Sequence, residues 1–164
     1  MELLKRIQAL LERKEVIATF DGNDELMFFA LCESLSVRIQ IRVTDKLLTV
    51  RGHFPMFVPA HRRLAMCEAI SLINWQLRMA RFELDASDGE LRCRTDFPLH
   101  GDATPTDEQL ARLIYSVWNV SERYCSGLVE IMTSSADPAM VIARLEGAAE
   151  HPTPSAPPLD LNVN

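Results

Sequence analysis

The stretch VRIQIRVTDKLLTVRGHF, residues 37–54, alternates almost without interruption. Val37, Ile39, Ile41 and Val43 fall on one side of an extended chain and Arg38, Gln40, Arg42 and Thr44 on the other, because successive strand side chains point to opposite faces. Asp45-Lys46 turns the chain, after which Leu48 and Val50 keep the apolar side and Thr49, Arg51 and His53 the polar one. The stretch therefore predicts two antiparallel strands with one dry and one wet face. It runs into Phe54-Pro55-Met56-Phe57-Val58-Pro59, where a proline without an amide proton is expected to end the pairing.

The same alternation recurs in FELDASDGELRCRTDF, residues 82–97, around Asp88-Gly89, a pair suited to a tight hairpin. Upstream, the apolar runs Val16–Phe20 and Leu26–Leu31 flank Asp21-Gly22-Asn23-Asp24 and predict a further hairpin. Helices fill the rest. Leu3, Leu4, Ile7, Leu10 and Leu11 make an apolar stripe over residues 2–13, and the segment 60–78, opening after Pro59, offers Leu64, Cys67, Ile70, Ile73 and Leu77 as a core face. Thr106 and Gln109 form a capping box ahead of a long helix whose stripe (Leu110, Leu113, Ile114, Val117, Ser121, Tyr124, Leu128, Ile131) persists to Met132. Asp137-Pro138 starts a shorter helix that Gly147 is expected to end.

The predicted class is α+β: an antiparallel sheet, made of a meander plus a hairpin, covered by helices. One domain over 1–134, a C-terminal helix over 135–147 and a disordered Pro-rich tail over 148–164 describe the organisation, since the tail has too few large apolar groups to offset the entropy of ordering it. Within the tail, Pro154-Ser155-Ala156-Pro157 and Leu159-Asp160-Leu161 have the form of short docking elements, and a plain solubilising tail is the simpler reading. No signal segment and no membrane-length apolar run occurs, and the expected compartment is the cytoplasm.

Chemistry is poorly represented. The net charge of −6 opposes nucleic acid. Phosphate-binding glycine loops, a nucleophile elbow and a zinc helix motif are all missing. Cys32, Cys67, Cys93 and Cys125 include no C-x-x-C pair and read as reduced thiols, with Cys67, Cys93 and Cys125 on core faces. His53, His61, His100 and His151 share no ligand spacing. No catalytic residue, metal or cofactor is expected, and the chain is read as a non-enzyme.

Two sets of residues remain as binding candidates. Arg38, Arg42, Arg51, Arg92 and Arg94 lie on the wet sheet face and offer a cradle for an anion, although Glu83, Asp85, Glu90 and Asp96 on the second hairpin favour a solvated mixed-charge surface. Phe54, Met56 and Phe57, in a run broken by prolines, together with Trp75 and Trp118 beside their helical stripes, are either core or anchors of a partner or dimer contact.

From Leu48 to Met132 the chain resembles the YbjN-type bacterial family to which sensory transduction regulation is ascribed, and whose fold is similar to type III secretion chaperones. The resemblance is carried by LTVRGHFPMFVPAHRR (48–63), LINWQLRMARFELDASDGELRCRTDFPL (72–99) and TDEQLARLIYSVWNVSERYCSGLVEIM (106–132). Within them, Asn74, Phe82, Asp88-Gly89 and the run Arg94–Leu99 stand at family-like spacing, and the likeness extends over roughly 2–134. Met79-Ala80-Arg81 stands where the family often has a glycine. The resemblance implies a chaperone-like or regulatory protein-binding module, acting as a homodimer, with no catalytic residues to transfer. The alternative is a small-ligand or anion-binding domain, or an enzyme, using the Arg-bearing face.

Overall fold

The computed structural model describes residues 1–33, 35–99 and 104–148. His100, His151 and the two tail motifs beyond Ala148 lie outside the described residues. The elements run α1 (Glu2–Glu12), β1 (Thr19–Phe20), β2 (Leu26–Leu31), β3 (Ser36–Val43), β4 (Leu47–Phe57), a 3-10 turn (Ala60–Arg62), α2 (Arg63–Gln76), β5 (Arg81–Leu84), β6 (Glu90–Pro98), α3 (Asp107–Thr133) and α4 (Pro138–Ala148). The strands form one six-stranded sheet in the order β1-β2-β3-β4-β6-β5, and every neighbouring pair is antiparallel. The fold is α+β, as the alternation predicts.

The dry face reads Leu26, Phe28 and Ala30 on β2, Val37, Ile39 and Ile41 on β3, Leu48 and Val50 on β4, and Leu91 and Cys93 on β6, all buried. The helices cover this side. α3 crosses it with Leu110, Leu113, Ile114, Val117, Tyr124, Leu128 and Ile131 turned inward, the stripe its spacing predicts. The Thr106–Gln109 capping box is present in both directions, and Arg6 of α1 and Arg13 just past its end meet Asp107 in the first turn of α3. At the other end of α3, Arg62 donates from Nε to the carbonyl of Ile131 (2.7 Å), one that the helix end leaves orphaned, and from Nη2 to that of Ala136 in the following loop (3.0 Å).

The sheet edge is closed by a side chain. Asn74 of α2 accepts from the Phe82 amide through Oδ1 (2.8 Å) and donates to the Phe82 carbonyl through Nδ2 (3.0 Å), so it substitutes for a missing strand beside β5. The β5–β6 turn needs Gly89, whose φ is +94° and where a Cβ would fall 2.3 Å from the Val58 carbonyl oxygen. Arg63 pins this turn by donating to the carbonyls of Val58, Ala86, Ser87 and Asp88.

Four expectations are corrected. Pairing does not stop at Pro55: β4 continues to Phe57, because a bulge between His53 and Phe57 absorbs the proline before Phe57 pairs with Glu90. The first hairpin keeps only Thr19–Phe20 on its leading arm, and Ile17 is exposed. The helix foreseen over 60–78 is a 3-10 turn followed by α2, and its buried face is Met66, Ala69, Ile70 and Ile73; Leu64 and Cys67 point outward. The cause is that the apolar side chains of α2 (Leu64, Met66, Cys67, Ile70, Leu72, Ile73, Trp75) spread over more than one helical face, so a three-and-four spacing can be drawn along two adjacent faces. Finally, Gly147 lies within α4 rather than beyond its end.

Candidate functional site

α4 folds back against α2 and α3. The close approach to α3 depends on Gly127, where a Cβ would come within 2.4 Å of Leu145. Asp137 starts α4 by accepting from the Met140 amide (3.0 Å). Between α2 and α4 lies an open groove of about 380 Å³, walled by Leu72 and Trp75 on one side and Ala139, Ile142 and Ala143 on the other. Gln76 donates to Glu146 across one end.

The outward side of α2 carries large apolar side chains towards both ends, with Glu68 and Ser71 exposed between them. Leu64, Leu72 and Trp75 stand eight and eleven positions apart along one helical face, and their exposures are 84%, 39% and 91%. Met140, next to the groove-lining Ala139 on α4, is a further large exposed side chain. A tryptophan that is nine-tenths exposed leaves a large apolar area in water, and contiguous patches of this kind mark contact sites on soluble domains.

Of the contact candidates, Trp75 thus stands on this face. Phe57, 60% exposed, lies on the opposite side of the molecule, on the uncovered sheet face beside Glu90. Met56 is half-buried against the core. Phe54 packs against Phe82 with ring centroids 6.0 Å apart, and Trp118 lies between Phe28 (5.6 Å) and Tyr115 (5.8 Å). Both of these rings are therefore held within the fold, where no partner reaches Phe54 without unfolding it. Leu64, Leu72 and Met140 were not among the candidates; the three-and-four spacing puts Leu64 on the core face of its helix.

All five candidate arginines lie on the wet sheet face, as the alternation predicts, and Arg81 joins them. Most are paired. Arg92 meets Glu83 at 2.7 Å and Glu90 at 3.8 Å; Arg94 meets Asp96 at 2.9 Å and Glu83 at 3.8 Å; Arg81 bridges Glu83 and Asp96; Arg42 reaches Glu25 at 3.4 Å. Burial raises the pKa of Glu83, but the hydrogen bond and charge of Arg92, with Arg94 and Arg81, outweigh it and hold the carboxyl below its ordinary value.

His53 lies at the centre of this face, with Nδ1 2.8 Å from Glu90 Oε1 and Nε2 3.0 Å from Gln40 Oε1. Burial lowers its pKa, the Glu90 hydrogen bond opposes this, and the positive charge of Arg38 and Arg51 adds to the lowering. A neutral ring donates to Glu90 and accepts from Gln40 with that amide turned over; a charged ring donates to both. Cys93 is buried, and burial pushes its thiol up to about 12, while Cys67 is exposed, contrary to its expected core position. Among the described residues no group of three or more His, Cys, Asp or Glu side chains is placed to hold a metal ion, and no helix is long and apolar enough to cross a membrane.

No curated protein matches the chain. Among solved structures, one described as "Crystal structure of YbjN, a putative transcription regulator from E. coli" aligns with a TM-score of 0.53 at 15% identity, covering 75% of this chain and 91% of the other. That alignment supports the fold alone. The profile of the YbjN family, described as "Putative bacterial sensory transduction regulator", matches residues 3–129, so it takes in the sheet and most of α3 and stops short of α4. By that match over most of its length, the chain belongs to the YbjN family.

Proposed function

We propose that this protein is a non-enzymatic regulatory module of the cytoplasm, chaperone-like in its mode of action, that works by protein contact through the outward face of α2 and α4 and associates as a homodimer on that face. The observation that carries the reading is Trp75, 91% exposed beside an apolar groove. Burying such a side chain with Leu64, Leu72 and Met140 removes apolar surface from water at roughly 25 cal/mol per Å², and a few aromatic anchors commonly dominate an interface. The matched family and the similar E. coli protein are both described as regulators, which agrees with action by contact.

Light scattering and tryptophan fluorescence on the full chain test this reading. The wild type is expected to be dimeric at high concentration, with Trp75 emission shifting to the blue as the dimer forms. Trp75→Glu is expected to be monomeric with an unchanged far-UV circular dichroism spectrum. A wild type that stays monomeric at high concentration overturns the homodimer, and a Trp75→Glu protein that associates as well as wild type overturns the assigned face.

A further inference from the structure

The uncovered face of the sheet contains a small set of donors that the ion-pair network does not use. On the two central strands, register sets Arg38 of β3 opposite His53 of β4, and Gln40 opposite Arg51. Arg38 and Arg51 are therefore diagonal neighbours with backbones roughly 7–8 Å apart, within reach of a common ligand for two long side chains. On one flank β2 places Phe29 opposite Arg38 and Met27 opposite Gln40. On the other, β6 places Arg92 opposite His53 and Arg94 opposite Arg51.

Arg92, Arg94, Arg81 and Arg42 are neutralised by Glu83, Glu90, Asp96 and Glu25. Arg38 and Arg51 enter no ion pair among the described residues. Arg51 lies opposite Arg94, whose charge Glu83 and Asp96 compensate, and the Nε of Arg51 is buried with no acceptor among the described residues. A buried donor left unsatisfied costs free energy that a bound oxygen restores. Two adjacent guanidinium groups without an ion pair among the described residues, one of them near the Asp21 carboxylate, suit a phosphate anion, because guanidinium donors match its oxygens.

We propose that this patch is a binding site for a small phosphomonoester, with Arg38 and Arg51 taking the phosphate and the 61% exposed ring of Phe29 carrying the apolar group attached to it. His53 and Gln40 border the site but are already engaged, His53 with Glu90 and Gln40, and Gln40 with Asp21, so the two arginines hold the phosphate, Arg51 by turning its Nε onto a phosphate oxygen. The surrounding carboxylates limit the ligand's size. Glu83, Glu90 and Asp96 stand within one or two strands of the patch and would lie under any extension of a phosphate chain, so one dianion is accommodated where a polynucleotide is repelled, in keeping with the net charge of −6.

Titration of the full chain with phenyl phosphate and, separately, inorganic phosphate tests the site, read by the arginine Nε–Hε NMR signals. The Arg51 signal is expected to move with both ligands, and phenyl phosphate is expected to bind several-fold more tightly. Phe29→Ala should abolish that difference while leaving inorganic phosphate binding unchanged. Arg51→Gln, and Arg38→Gln at an exposed position that the fold does not depend on, should each weaken binding about tenfold or more, as expected for loss of a charged hydrogen bond. Trp75→Glu, on the other side of the molecule, should leave binding unaffected. The proposal is overturned if neither phosphate moves the Arg51 signal, if Arg38→Gln binds as wild type does, or if single-stranded RNA binds more tightly than phenyl phosphate.

Discussion

His53 joins β3, β4 and β6 through Gln40 and Glu90, and its pKa is lowered below the ordinary value of 6.5, first by burial and then by Arg38 and Arg51. A group whose folded-state pKa is depressed contributes stability above its unfolded pKa and loses it as pH falls through the folded value. The urea midpoint is therefore expected to drop between pH 7 and pH 5, with a smaller drop in His53→Gln; identical pH profiles would remove His53 from the account. The thiols separate in the same way by environment. Cys67 is exposed and Cys93 buried with its pKa raised, so a thiol reagent should label Cys67 in the native protein and Cys93 only on unfolding, as peptide mass mapping would show. The alternation that placed Cys93 on the dry face was legible from β6, whereas Cys67 lay on a helix whose apolar residues surround it, and only packing chose its direction.

Asn74 illustrates a role at the level of elements. A helical asparagine reads as polar surface, yet it completes the edge of β5 through both its amide atoms. Asn74→Ala removes two hydrogen bonds and leaves the Phe82 amide without that partner, and it is expected to cost about 1–3 kcal/mol in a denaturant titration; a loss below about 0.5 kcal/mol would mean that water replaces it fully. Gly127 sets the α3–α4 contact. Gly127→Val would push against Val141 and Leu145, so faster amide exchange confined to α4 is expected, with β3 and β4 protected as before. The capping box of α3 and the Asp137 cap of α4 were readable because they depend on neighbours three residues away. The partners of Asn74 and Gly127 lie on other elements, and no local pattern announces them.

The molecule as a whole is a sheet covered by helices on one side and bare on the other, so equal side chains carry unequal weight on the two faces. Ile39→Ala, in the fully buried centre of β3, is expected to cost about 2–5 kcal/mol, while Phe29→Ser on the bare face should change stability by less than about 0.5 kcal/mol; comparable losses would contradict the one-sided core. This two-faced design also separates the two proposed activities, protein contact on the helical side and anion binding on the bare sheet. Periodicities and contacts within a few residues were enough to give the α+β class, nearly every element, the dry and wet sides of each long strand and the helix caps. Packing, by contrast, settled which side of α2 is buried, that Phe54 is buried and Trp118 held between Phe28 and Tyr115 while Trp75 stands in water, and that among the described residues Arg38 and Arg51 are the candidate arginines without an ion pair. Each of those outcomes depends on which surfaces and charges from distant parts of the chain come to lie against one another, and that is a property of the packed molecule.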